Sequence, residues 1–202
     1  MQRLLTVDSR KAGALADLVP GTNRANRQIV ALAHSSTYGG AGGSYATASG
    51  GNALSSLITP HEIGHSLGGL QDEYDYYARG VPGETYEGPE PSSVHHTLLT
   101  ERQMREQRAK WWRWLGEPSE SGGVIGRHEG GMYSTKGVWR PSRHSLMKTL
   151  GYAFDQVERE VMVRAISAKV NLVQDHTPNA APIGADRTVW WTPCIRWAAR
   201  SP

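Results

Sequence analysis

A chain of 202 residues is long enough to bury the core of one domain. With 38% hydrophobic and 20% charged residues it is not a disordered polyelectrolyte, and no apolar run nears the ~20 residues of a membrane span. A formal net charge of +3, with arginines scattered and acids gathered near the central motif, excludes a concentrated nucleic-acid patch.

The N-terminal stretch MQRLLTVDSRKAGALADL has a basic residue but no long apolar core, so it does not read as a signal peptide. Either the protein stays inside the cell or upstream sequence is missing. Arg27–Ala33, RQIVALA, reads as a short buried strand. Glycines follow at once in Tyr38–Asn52. No Gly-Lys-Ser/Thr comes after them and the spacing misses the dinucleotide fingerprint, so a flexible loop beside a short edge strand, SYATAS, is expected.

A helix then carries His61 and His65, and it has two readings. Thr59 can be its N-cap, with Pro60 in the first turn and Glu62 closing a capping box. Alternatively it starts earlier, in NALSSLI, and Pro60 lies inside it as a kink. Gly68 and Gly69 terminate it. Val81–Ser93 is a proline- and glycine-rich loop. Leu98–Leu115 is expected to be a helix, started by Thr100 and Gln103, with Trp111, Trp112 and Trp114 packed on the body near its end.

Residues 119–147 read as one long irregular segment, a kind that is usually functional. Phe154–Val170 has helical spacing at Phe154, Val157, Val161 and Ala165, with Asp155 and Glu158 to cap it. After Leu172 the texture becomes a linker followed by a short strand, and no internal repeats occur. Cys194 is the only cysteine, which excludes an intrachain disulfide and a zinc ribbon. Together these elements make an α/β (α+β) chain.

The chemistry concentrates in TPHEIGHSLGGLQDEY, residues 59–74. Histidines at i and i+4 share one helical face, where one zinc ion can take both. Glu62, beside the first histidine, can reach a water at that ion and act as general base. The same spacing arises in charged surface helices, but Ile63, Gly64, Leu67 and Gly68 make this helix apolar and close-packed. Buried histidines need partners, and a metal is one.

The longer metal-binding pattern is H-E-x-x-H-x-x-G-x-x-H. Gly68 falls on its glycine, but Gln71, a weak ligand, stands where the last histidine belongs. The glycine pair lets the chain turn back, so Asp72 is the expected third ligand, with Glu73 next and a distant His128 or His144 as alternatives. Met147 is placed in chain order for a methionine turn beneath the metal, or for an ordinary core position.

HEIGHSLGGLQDEY, the upstream YGGAGG and the later GGMYSTKGVWRPSRHSLM together resemble the IgA-specific metallopeptidase family of bacteria, over Gln2–Val170. The resemblance implies a secreted zinc endopeptidase acting on a protein or peptide, without nucleic-acid or membrane partners. The implied fold is a metzincin-like zincin with a twisted mixed sheet, an active-site helix and a C-terminal helical subdomain. It carries over His61, His65 and Asp72 as metal ligands, Glu62 as catalytic base and Met147 in the turn. Tyr133 is the first candidate for stabilising the oxyanion, with His144 and Arg140 behind it. Residues 1–172 are then the catalytic domain, short at its N-terminus, and 173–202 a tail that begins a β module. A reading from another class is a metal-dependent peptide- or carbohydrate-binding module without turnover, its surface made of DEYDYY and the tryptophans. Intact Glu62 favours the enzyme.

Overall fold

Asp8 accepts hydrogen bonds from the Arg10 and Lys11 amides (3.0 and 3.1 Å) and so starts the first helix, α1 (Ser9–Ala16). The computed structural model describes residues 4–78, 80–170, 173–176 and 191–193. The elements after α1 run β1 (Val30–Ala33), β2 (Gly40–Ala41), β3 (Ala46–Ser49), α2 (Ser55–Gly68), β4 (Tyr76–Ala78), β5 (Val81–Pro82) and β6 (Glu84–Thr85). Then come α3 (Glu101–Gln107), β7 (His128–Gly131), β8 (Ser134–Arg140), α4 (Gln156–Ser167), β9 (Val173–His176) and β10 (Trp191–Pro193). The chain is thus mixed α/β. No described helix is long and apolar enough to cross a membrane.

The first sheet has the order β1-β3-β2. β3 runs parallel to β1, with Val30 opposite Ala46, and antiparallel to β2. SYATAS is therefore central, not an edge, and all four residues of β3 are buried. The glycine-rich stretch is not a free loop either, because it forms the edge strand β2. Gly40 and Gly42, two apart, share the strand face turned to α2. A Cβ on Gly42 would come within 2.2 Å of the His65 Cβ, and one on Gly40 within 2.8 Å of Glu62 Oε1. Only glycine lets the strand press so close to that helix.

Helix α2 begins at Ser55, so Pro60 lies inside it and Thr59 caps nothing. The early start prevails because Asn52 organises it. Its side-chain oxygen accepts from the Leu54 amide (2.9 Å), and its carbonyl accepts from the Ser55 amide (3.0 Å). At the other end Gly69 takes φ 63°, and its N–H reaches the His65 carbonyl at 3.0 Å. On the face away from β2, Leu70, Met147 and Met162 form a buried cluster edged by Ile63, Leu67, Phe154 and Val161, which locks α2 to α4.

α3 has the expected Thr100–Gln103 capping box but stops at Gln107, eight residues before the expected end. Arg108 and Lys110 are left-handed, at φ 50° and 58°. Lys110 holds the turn by bonding the Ser93 carbonyl (2.8 Å) and Glu90 (3.1 Å). The tryptophans follow in this turn region. Trp111 is 1% exposed, donates Nε1–H to the Gly126 carbonyl (2.8 Å), and anchors a second core with Met104, Leu115, Ile125 and Val157.

The segment expected to be irregular carries a hairpin, β7–β8, within a sheet of order β6-β8-β7. Left-handed Gly130, Gly131 and Gly137 allow the bends, so glycines that suggested a loop belong to strands. In chain order β7 and β8 fall between α3 and α4, so the C-terminal half is not helical throughout. α4 matches its expected helix, and Asp155 and Glu158 form both halves of the capping box. In the tail β9 and β10 pair antiparallel. The linker expected at 179–190 and Cys194 lie outside the described residues.

Candidate metal centre

His61 and His65 stand one turn apart on α2 with ring centroids 4.8 Å apart. Each Nδ1 meets a backbone carbonyl, Leu146 O for His61 (3.0 Å) and Leu70 O for His65 (2.6 Å). A carbonyl only accepts, so both Nδ1 atoms carry hydrogen. In the neutral rings the lone pairs therefore sit on Nε2. The two Nε2 atoms lie 3.2 Å apart. The turn closed by Gly69 and Leu70 brings the chain back, and Asp72 Oδ1 comes to 3.1 Å from each Nε2.

Three lone-pair atoms at these distances repel unless a cation lies among them. Tetrahedral ligands on ~2.1 Å bonds are about 3.4 Å apart, close to the observed triangle. Asp72 is buried, and its Oδ1 has no hydrogen-bond partner within the protein. Two imidazoles and one carboxylate suit zinc, and the arrangement leaves a fourth position to non-protein atoms. Burial raises the Asp72 carboxyl, but the His61 and His65 imidazoles beside it and the Tyr133 hydroxyl outweigh that and hold the group well below the usual carboxylate range. For His65, burial lowers the imidazole, and the adjacent Asp72 carboxylate more than restores it.

The alternatives for the third position lie elsewhere. Gln71 has an exposed side chain, and its backbone N–H and carbonyl face His95 Nε2 at 3.2 and 3.0 Å. Glu73 is fully buried and turned to Ser145 (2.7 Å). His128 meets the Val124 carbonyl, and His144 stacks on Tyr152.

Glu62 neighbours His61 and is buried near the end of its side chain by Gly40. It sits too far into α2 to cap it. Burial pushes its carboxyl up, while His61 and His65 pull it down. Met147 is buried, with its sulfur 2.9 Å from where a Cβ on Gly64 would stand. The adjoining Leu146 supplies the carbonyl that orients His61.

Tyr133 reaches the same place from the β7–β8 turn, where its hydroxyl donates to Asp72 Oδ2. Met132 and Tyr133 take φ 51° and 62°, a two-residue turn that ordinarily favours Asn-Gly. Backbone bonds hold it there, from Met132 N–H to Asp72 O (2.8 Å) and from Tyr133 N–H to Tyr74 O (3.1 Å). Burial and the bond to Asp72 push the phenol up to about 12, so it remains a donor. Arg140, by contrast, spends Nη1 on the Glu129 and Gly130 carbonyls (2.6 and 2.8 Å).

Sequence reasoning missed the buried Ser145, His95 and His96 and read Glu158 only as a helix cap. Local spacing does not mark them as a group, since they come from three segments of the chain.

The family model described as IgA Peptidase M64 matches residues 2–121, a span that holds His61, Glu62, His65 and Asp72 and ends before Tyr133 and Met147. Among curated proteins none matches the chain.

Proposed function

Because the chain belongs to the IgA peptidase M64 family, a family of metallopeptidases acting on proteins or peptides, we propose that it is a zinc-dependent endopeptidase with His61, His65 and Asp72 as its metal ligands. The observation that carries this reading is the meeting of two imidazole Nε2 atoms and one orphaned carboxylate oxygen within 3.2 Å of one another.

Zinc, when bound, supplies Lewis acidity that makes water more acidic and polarises a peptide carbonyl. Glu62 accepts the proton of the attacking water and returns it to the leaving amine, a task served by a carboxyl raised through burial. Tyr133 brings a protonated hydroxyl to the same edge and donates to the oxygen that becomes negative, releasing Asp72 as it does so. The Leu146 and Leu70 carbonyls fix both imidazoles in the tautomer that presents Nε2.

The metzincin-like architecture belongs to the same proposal. Its support is Met147, buried against Gly64 between the two histidines of α2. So do the assignment of residues 1–172 to the catalytic domain and secretion of the protein. The deciding experiment pairs zinc analysis with cleavage of a casein-type substrate, before and after chelation. Cleavage that is lost with the metal and restored by zinc supports the enzyme. Bound zinc without cleavage under any condition supports the binding module.

A further inference from the structure

A second cluster lies behind the first, and the proposed peptidase chemistry makes no use of it. Glu73, His95 and Glu158 are each 0% exposed, and one ligand atom from each falls within 4.8 Å of the others. They arrive from three places: the turn after α2, the segment before α3 and the first turn of α4.

Their hydrogen bonding is incomplete. The Ser145 hydroxyl lies 2.7 Å from both Glu73 Oε2 and Glu158 Oε1, yet it has one proton to give. Glu73 Oε1 and His95 Nδ1 have no partner, although both are fully enclosed. Unpaired polar atoms at such depth are rare in folded proteins. His95 spends Nε2 on the Gln71 backbone, so Nδ1 is its free ligand atom. The positive charges of Arg140 and Lys148 lie near Glu73, but their hydrogen bonds go to other groups, Arg140 Nη1 to the Glu129 and Gly130 carbonyls and Lys148 to Asp75 at 3.3 Å. A third buried carboxylate, Asp155, adds to the negative excess. A proton shared through Ser145 would complete the two glutamates there but leave Glu73 Oε1 and His95 Nδ1 bare.

We propose that Glu73, His95 and Glu158 hold a second divalent cation, with zinc the match for two carboxylates and one imidazole, as a buried structural site. This does not rest on the peptidase reading. The site ties α4 to two segments that shape the first centre. Glu73 follows Asp72 in the chain, and its N–H bonds the Met147 carbonyl at 3.0 Å. Ser145 precedes Leu146, whose carbonyl orients His61. Because the site is closed, its metal binds as the chain folds, and metal affinity becomes fold stability.

The test is metal stoichiometry. Wild-type protein refolded with zinc and passed through metal-free buffer should hold two equivalents, and Glu158→Gln and His61→Ala one each. Zinc-edge anomalous diffraction of the wild type should place one peak among Glu73, His95 and Glu158 and another between His61 and His65. A single equivalent with no peak in the second cluster, or a Glu158→Gln variant that keeps both ions, overturns the proposal and leaves a water or a shared proton there. Should Glu158→Gln fail to fold, the wild-type map decides alone. Two ions without peptide cleavage would sink the peptidase reading and leave this one standing.

Discussion

The Tyr133 hydroxyl donates to Asp72 Oδ2, while Oδ1 of the same carboxylate faces both imidazole Nε2 atoms at 3.1 Å. One carboxylate therefore joins the metal triangle to a phenol 61 residues away. If Tyr133 stabilises the oxyanion, Tyr133→Phe should lower kcat about 10²-fold with little change in KM and less than about tenfold loss of zinc affinity. If it merely props Asp72, zinc affinity falls instead and excess zinc restores kcat. Steady-state kinetics across a zinc titration separates the two.

Glu62→Gln should keep its zinc and lose peptidase activity by about 10²–10⁴-fold. The substitution preserves size beside Gly40 and removes only the proton acceptor. Turnover at the wild-type rate would remove Glu62 from the mechanism.

His61→Ala and His65→Ala should each lose the zinc of this centre on dialysis, because two remaining ligands rarely hold it. Asp72→Asn should weaken it by at least about tenfold. An absorption edge and a fluorescent chelator competition would read both effects, and unchanged affinity in Asp72→Asn would send the third ligand elsewhere.

Gly42→Val should destabilise the fold by about 1–3 kcal/mol, since a Cβ would come within 2.2 Å of the His65 Cβ and neither backbone has room to give. A lower denaturation midpoint and a weaker zinc site should appear together. A variant as stable as the wild type would mean that β2 does not press on α2 in solution.

Buried histidines set a pH dependence. Burial holds His95 down to about 4 from its ordinary 6.5, and burial with His95 alongside holds His96 well below the same value. The unfolded chain thus binds more protons as pH falls below 6.5. The stability is complete above about 6.5 and is lost as pH falls toward 4, by up to about 3 kcal/mol for His95. The buried Glu73 and Glu158 carboxyls, pushed up by burial, act in the opposite sense over the same window, so the histidine effect is read as a difference. In chelated protein the stability of the wild type relative to His96→Gln should fall as pH drops from 7 to 4.5. A difference that stays flat over that range would show that the pair stays accessible to protons.

What could be read from the sequence was what local spacing encodes. His61, Glu62 and His65 lie within five residues of one helix, so their shared face follows from helical geometry alone. Asp72 was reachable because Gly68 and Gly69 announce a reversal. The end of α3 was not legible, because left-handed Arg108 and Lys110 replace the usual glycine and are held by Glu90 and Ser93. Glycines misled in both directions. Gly40 and Gly42 read as a loop but serve close packing, and Gly130 and Gly131 read as a loop but bend a hairpin. The Glu73–Ser145–Glu158 contacts join positions 72 and 13 residues apart, and no window of sequence contains them.

The carbonyl that orients His61 belongs to Leu146, 85 residues further along the chain. During synthesis the histidine pair is therefore made long before the turn that aligns it. Closing a loop of that length waits on the cores it encloses, so the arrangement forms late in folding. A ribosome-bound fragment ending before Ser145 has the His-Glu-x-x-His helix and lacks the tautomer lock, Met147 and α4. On this view a hydrolase of this design gains its cutting power only when nearly all of it has emerged, and neighbouring nascent chains are spared in the meantime.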